Sequence, residues 1–338
     1  MNSSLLLSIT TFVYGLAAFM YLAALIFKKL QAARIGTWAA LAGLLLNTAG
    51  IILRWVESYQ MGIGHAPLSN LYESLVFFAW SITLLYLIVE RLIANRIVGA
   101  FVTPITFLTM AYASLSPGIS SQIQPLLPAL KSNWLIAHVI TCFIGYAAFA
   151  IAFGVSAMYL MKKGRNDQPP FWVELAKPLA LFTFVALFTR VLLLPNWATS
   201  LLIAVPVSAA FYAVVILMRR LPRDLKQRLL DMFPSPAVLD ELNYQLIMFG
   251  FLFLSVGIIT GAVWANSAWG RYWGWDPKET WSLITWFIYA TLLHAKMMRG
   301  WHGRRIAYLS LIGFAAVLFT YFGVNLLPGL HSYGAMSQ

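Results

Sequence analysis

The stretch WANSAWGRYWGWDPKETW, residues 264–281, lies between two long apolar runs and holds five of the thirteen tryptophans in the chain. Tryptophan is costly to leave in water, and its indole N–H needs a partner when it is buried. One or two tryptophans at the end of a membrane span form an ordinary interface belt. Five of them, interleaved with glycines and charges, favour a platform for a large, flat, apolar ligand.

The composition of the whole chain indicates a polytopic membrane protein. Of the 338 residues, 61% are hydrophobic and only 10% are charged, whereas soluble domains carry about 25% charged residues. Cys142 is the one cysteine, which excludes an intrachain disulfide, a CxxC redox pair and a covalent c-type haem site in this chain. Residues 5–27 are apolar for longer than the core of a signal peptide, so no cleavable signal is expected.

Apolar stretches long enough to cross about 30 Å of hydrocarbon occur about ten times. The sixth is short and contains Arg190, so the sixth and seventh are predicted as an inserted hairpin, 178–218, of two spans or of a shallower re-entrant pair. The prolines and charges of 219–242 predict a short amphipathic surface segment. The predicted fold is therefore a single all-α membrane domain, 1–338. The predicted spans are 5–27, 36–56, 71–90, 97–115, 134–161, 178–194, 199–218, 243–263, 281–298 and 306–326.

The basic residues fall mainly on one side of these spans. Eighteen of the 23 lysines and arginines lie in alternate hydrophilic breaks, and the positive-inside rule makes that side cytoplasmic. Both termini and the 264–281 segment are then predicted to be extracytoplasmic. The net charge of +12 follows from topology, so nucleic acid is not an expected partner.

The second half of the 264–281 segment has two interpretations of equal weight. Asp276, Pro277 and Glu279 form a helix start with an N-cap, a proline at the first position and a capping box. This cap does not explain the tryptophans. Trp273 and Trp275 would share one face if the backbone were extended there, and glycines at 270 and 274 would let a flat ligand approach the backbone.

Histidines supply the candidate metal ligands. Neutral imidazole is an axial ligand of haem iron, and His138, His331 and His65 all fall on the predicted outer side. His294 lies about 20 Å below the outer end of its span, at 1.5 Å per residue, and suggests a second, separate binding site. For any single histidine, a satisfied helix contact is the competing interpretation, and spacing alone does not choose among the three outer ones.

The sequence WGRYWGWDPKETW resembles the WWD signature of the haem-handling proteins of cytochrome c biogenesis. Further segments, HAPLSNLYESLVFFAW, SNWLIAHV, LDELNYQLIMFGF and YFGVNLLPGLHSY, are similar to the CcsA type (also called CcsB or ResC) of the System II pathway. The resemblance covers most of the chain except 165–232. The signature positions are Trp269, Gly270, Trp273, Trp275, Asp276 and Glu279.

This resemblance implies a subunit of a cytochrome c synthase that transports haem b. Haem would lie at the outer face under the tryptophan segment, with His138 and His331 as axial ligands, and would be attached to the CxxCH motif of apocytochrome c. His294 would belong to a transmembrane haem site whose other histidine comes from a companion subunit of CcsB/ResB type. Thiol-reducing proteins are further implied partners. The chain offers no nucleophile of its own, so its expected part is positioning, in a bacterial inner (plasma) membrane or a thylakoid membrane.

Three other functions compete with this one. A CcmC-type subunit that loads a haem chaperone is shorter, and the segments before residue 97 would be unexplained. A respiratory anchor with b-type haems needs histidine pairs at matched depth in facing spans, and here only His294 is deep. A transporter without haem would give a colourless preparation.

Overall fold

A computed structural model describes residues 2–116, 118–127, 130–163 and 223–326, together with isolated positions between 186 and 209. Within the four continuous ranges, the regular secondary structure consists of nine α-helices and two short 3-10 helices, Arg96–Val98 and Gly323–Leu326. The helices are α1 (Ser3–Phe27), α2 (Leu30–Gln60), α3 (Leu71–Ile93), α4 (Gly99–Leu115), α5 (Asn133–Lys163), α6 (Arg223–Leu230), α7 (Pro236–Trp269), α8 (Pro277–Arg299) and α9 (Arg304–Tyr321).

The prediction of an all-α polytopic membrane protein is confirmed. Seven segments in the described ranges are long and apolar enough to cross a membrane. Helix α8 is not among them, although it has 23 residues. The inserted hairpin, 178–218, lies outside the continuously described residues, so the total of about ten spans stays a prediction, as does the extracytoplasmic side of the termini.

Several helices extend beyond the apolar stretches that predicted them. The stretch 36–56 belongs to Leu30–Gln60, and 243–263 belongs to Pro236–Trp269. Backbone hydrogen bonds continue through polar residues once a helix has formed, so hydropathy marks the core of a span and not its ends. The predicted amphipathic segment is present as Arg223–Leu230.

The core of the bundle is built on the close pairing of α5 with α7. A Cβ atom added at Gly145 would lie 2.9 Å from the carbonyl oxygen of Gly250, and one added at Gly250 would lie 3.0 Å from the carbonyl oxygen of Gly145. Small residues allow this approach, and it stabilises helix pairs in lipid, where both partners gain van der Waals contact.

Two ends of the bundle differ in chemistry. At one end, here called the basic end, long-range hydrogen bonds join the ends of several helices. The Asn95 side chain donates to the Met232 carbonyl (3.1 Å), and the Lys162 ammonium donates to the Phe233 carbonyl (2.6 Å). The opposite end, here called the tryptophan end, holds the turn between α7 and α8 and the segments 61–70 and 118–127.

At the tryptophan end, a buried ion pair connects α2 to α3. The Arg54 Nε atom lies 2.7 Å from Glu73 Oε1, with side-chain exposures of 2% and 0%. Arg54 also donates to the carbonyl oxygens of Ser121 (2.8 Å) and Gln122 (3.2 Å). A buried charge needs such compensation, so this cluster fixes the 118–127 segment against the helices.

Candidate functional site

The tryptophan-rich segment is divided between two helices and a short turn. Helix α7 continues to Trp269 and ends at Gly270, whose φ of +73° is the left-handed C-cap conformation that glycine adopts at no steric cost. Trp264 and Trp269 therefore stand on the last turns of a helix, and only residues 270–276 form the turn.

The helix start predicted at Asp276 is observed. The Asp276 carboxylate accepts a hydrogen bond from the Lys278 backbone N–H (2.9 Å), and a reciprocal capping box is formed with Glu279. Glu279 Oε2 accepts from the backbone N–H groups of Gly274 (2.7 Å) and Asp276 (3.1 Å). Both acids thus hold the turn in shape, and they fix the direction in which its tryptophans point.

The tryptophan rings do not share one face, contrary to the expectation for an extended backbone. Trp275 has a φ of +56°, and its ring meets the Trp273 ring edge-on, with centroids 5.9 Å apart and an interplanar angle of 88°. Trp275 is 70% exposed, whereas Trp264 is 3% exposed. The segment therefore offers a contacting pair, the buried Trp264 and the half-buried Trp269, and a separate exposed tip at Trp275.

The two glycines of the signature have different roles. Gly270 has open space around its Cβ direction. A Cβ atom at Gly274 would lie 2.8 Å from Arg271 Nε, so this glycine accommodates the Arg271 guanidinium group.

His138 on α5 faces α7 beside the buried Trp264. Its Nδ1 atom lies 2.7 Å from the carbonyl oxygen of Gly257 and its ring is stacked on Trp264, with centroids 6.1 Å apart and an interplanar angle of 16°. A carbonyl oxygen only accepts, so Nδ1 carries the proton and Nε2 keeps the lone pair that a metal requires.

The glycines that make room for His138 were missed by the sequence interpretation. A Cβ atom at Gly261 would lie 2.7 Å from His138 Nδ1, so a side chain there would occupy the space of the imidazole. Gly257 and Gly261 are four residues apart in an apolar run, which is the small-residue pattern of close helix contacts. This spacing could have predicted the close helix contact that leaves room for His138.

His65 is engaged in a different way. It is 6% exposed, its Nδ1 atom lies 2.8 Å from the Ala66 carbonyl oxygen, and its Nε2 atom lies 3.0 Å from the Gln124 carbonyl oxygen. Both ring nitrogens face carbonyl oxygens, so neither is directed at open space where iron could bind. His65 instead ties the 61–70 segment to residues 118–127.

Of the other two candidate ligands, His294 is described and lies apart from His138. His294 is exposed on the lateral surface of α8, near the basic end. His331 lies outside the described residues, and its proximity to His138 stays a prediction.

Comparisons with known proteins identify the relatives of this chain. The family model described as "Cytochrome C assembly protein" matches residues 68–331. The cytochrome c biogenesis protein CcsA of Synechococcus elongatus is 41% identical over 307 residues, which cover 89% of this chain and 87% of that protein. The protein of the same name from Gloeobacter violaceus is 40% identical, covering 90% of this chain and 87% of its own length.

One solved structure has a similar fold. It is described as the cytochrome c haem lyase CcmF, and it superposes with a TM-score of 0.59 at 14% sequence identity. The match covers 95% of this chain and 47% of that chain, so this chain spans about half the length of that structure.

Proposed function

Because this chain belongs to the cytochrome c assembly protein family, we propose that it binds haem b as a substrate, carries it to the outer face of the membrane and presents it for attachment to the CxxCH motif of apocytochrome c. His138 is one axial ligand and His331 is the other. The signature tryptophans shield the haem, and the capped turn holds them in place.

The orientation of His138 carries this proposal. The Gly257 carbonyl fixes the Nδ1 proton, and the stacked Trp264 ring limits rotation of the imidazole. An imidazole held in this way presents Nε2 in one direction, which is the arrangement that metal-binding histidines use. The helix that carries Trp264 ends in the WWD turn, so the imidazole is linked directly to the signature.

His331 is the second ligand by motif match. It follows α9 in the segment YFGVNLLPGLHSY, and the family match reaches this residue. His65 is the less suitable candidate, because both of its ring nitrogens face carbonyl oxygens. Haem iron with two imidazoles is low-spin and has a characteristic absorption spectrum, which gives a direct readout.

The chemistry assigned to this chain is positioning. Each cysteine thiol of CxxCH adds across one haem vinyl group, forming a C–S bond and transferring the thiol hydrogen to the other vinyl carbon. Holding haem against the incoming motif orients the two reactants before they meet. Such orientation lowers the activation barrier of many enzymatic reactions substantially. The histidine of CxxCH then replaces one of the two imidazoles on iron.

A companion subunit of CcsB/ResB type completes the synthase. His294 supports this, because its side chain is exposed on the lateral face of α8 together with Phe287, Met297 and Met298. Ionisable residues in a span rarely face lipid without a partner. We assign His294 to a second haem site that is shared with the companion.

The test is the absorption spectrum of the purified complex. His138→Gly and His331→Gly should each lose the low-spin contribution of the outer haem, while that of the second site at His294 remains. The lost contribution should return when free imidazole is added at millimolar concentration. The matched control is His302→Gly, which removes an exposed imidazole at the basic end and should leave the spectrum unchanged. An unchanged spectrum in both the His138 and His331 variants would contradict the ligand assignment.

A further inference from the structure

A second cavity lies at the basic end, far from the His138 site. Its volume is about 470 Å³, and it lies between the start of α2, the end of α3 and the connection from α6 to α7. Three cationic side chains line it, from Lys28, Arg34 and Arg96. We propose that this cavity binds the phosphate headgroup of an anionic phospholipid.

Among the described residues, the charge in this cavity is mostly uncompensated. Of the three cations, Arg96 contacts a carboxylate, with Nε 3.5 Å from Glu90 Oε1. That carboxylate is itself held by hydrogen bonds from Tyr21, Tyr86 and Thr37. Arginine and lysine together suit a phosphate, since arginine offers a fork of donors and lysine a compact charge.

The first turn of α2 adds to the positive potential. Its N-cap residue, Lys29, makes no side-chain capping hydrogen bond, and Leu30, the first residue of the helix, lines the cavity. The positive end of a helix dipole favours an anion. This contribution is secondary to that of the three side chains.

The rim of the cavity is apolar, which points to an amphiphile. Leu30 and the neighbouring residues Phe27 and Leu92 expose their side chains at the bundle surface. A headgroup in the cavity would leave its acyl chains against these residues. Basic pockets at the cytoplasmic ends of transmembrane helices bind lipid headgroups by the same combination of charge and apolar contact.

Haem, which is also an anionic amphiphile, fits this cavity less well. Among the described residues that line it there is no imidazole and no aromatic ring. A haem there would have no nitrogen ligand for its iron, and a lipid headgroup requires none.

The test compares lipid binding by the purified full-length chain, measured by native mass spectrometry at low salt. Phosphatidylglycerol should bind about 30-fold more weakly to the double variant Lys28→Gln/Arg34→Gln, at about fivefold for each charge removed. Phosphatidylcholine should bind equally to both proteins. The conservative double variant Lys28→Arg/Arg34→Lys should bind phosphatidylglycerol as the wild type does.

The matched control is Lys226→Gln/Arg228→Gln, which removes two exposed charges from α6 at the same end, outside the cavity, and should retain wild-type binding. An equal loss in the control would show attraction to the whole basic end and would overturn the proposal. So would competition by inorganic phosphate at concentrations similar to that of the lipid, because the source would then be a free anion. Binding of hemin that the Lys28/Arg34 variant abolishes would also overturn it.

Discussion

At the scale of single residues, the environment of the imidazoles distinguishes the candidate ligands. His138 and His65 both lie at the tryptophan end, and both have ring nitrogens that face backbone carbonyl oxygens. The difference is that one nitrogen of His138 and both nitrogens of His65 face a carbonyl oxygen. Iron ligation requires a free lone pair, so the number of carbonyl partners separates a ligand from a structural histidine.

Gly261 gives a prediction at this scale. In Gly261→Ala, the new methyl group would lie 2.7 Å from His138 Nδ1 and would displace the imidazole from the Gly257 carbonyl. Loss of one such hydrogen bond is worth about 1 kcal/mol, so we expect haem occupancy to fall several-fold, measured by absorbance of the purified protein.

Thermal stability separates this effect from general damage. Alanine is favoured over glycine within a helix by about 1 kcal/mol, which offsets the loss of the hydrogen bond to Gly257. The melting temperature of Gly261→Ala should therefore change little while haem binding falls. Gly118→Ala is the control, because a Cβ atom there meets nothing within 4 Å. Full haem occupancy in Gly261→Ala would mean that the Gly257 contact does not orient the ligand.

At the scale of elements, the tryptophan end is held by ion pairs and caps in addition to apolar packing. Arg54 on α2 joins Glu73 on α3 to the carbonyl groups of the 118–127 segment. Glu73 also accepts from the backbone N–H and hydroxyl of Ser69, both at 2.8 Å. One arginine thus connects two helices and one irregular segment beside the site.

A double-mutant cycle tests this cluster. Glu73→Gln leaves a buried guanidinium without its counter-charge and should destabilise the protein by about 3–5 kcal/mol, measured by unfolding in detergent. Arg54→Met should in addition make residues 118–127 sensitive to protease, because the carbonyl oxygens of Ser121 and Gln122 lose their guanidinium donor. The double variant Arg54→Met/Glu73→Gln should recover part of the stability, because it leaves no unpaired buried charge.

The control for this cycle is Glu241→Gln, which removes an exposed carboxylate that accepts from Gln245 at 2.9 Å. Surface contacts of this kind contribute at most about 1 kcal/mol, so its unfolding should match the wild type. A similarly small cost for Glu73→Gln would show that the Arg54 charge is compensated by the backbone carbonyls alone.

At the scale of the whole molecule, the bundle separates two surfaces. The tryptophan end carries the signature turn and His138, and the basic end carries α6 and the cationic cavity. Proposed haem presentation belongs to the first surface, and the proposed lipid site belongs to the second. The two surfaces lie at opposite ends of the helices. The orientation of the bundle in the membrane therefore decides which side of the membrane each surface faces.

Labelling of single cysteines tests that orientation. Tyr272→Cys and Lys226→Cys place thiols on exposed positions at the tryptophan end and the basic end. A membrane-impermeant maleimide should label the first in intact spheroplasts and the second only after permeabilisation. The wild type is the background control, because Cys142 is buried. Reversed labelling would invert the predicted topology and place the signature on the cytoplasmic side.

The sequence by itself determined the all-α membrane class, the helix start at Asp276 and the family. These features depend on local information: hydropathy over a span, the order of capping residues, and a long signature. They can be predicted from the sequence because each is determined by residues that lie close together along the chain. Hydropathy did not determine where α7 ends, since hydrogen bonding carries that helix through Trp264 to Trp269.

Only the tertiary structure decided which outer histidine keeps a free nitrogen. His138 is oriented by a carbonyl oxygen 119 residues away along the chain, and His65 is engaged by one 59 residues away. Hydrogen bonds between distant segments leave no periodic pattern in a sequence. They depend on the helix packing that small residues such as Gly261 permit, and that packing forms only when the whole bundle is assembled.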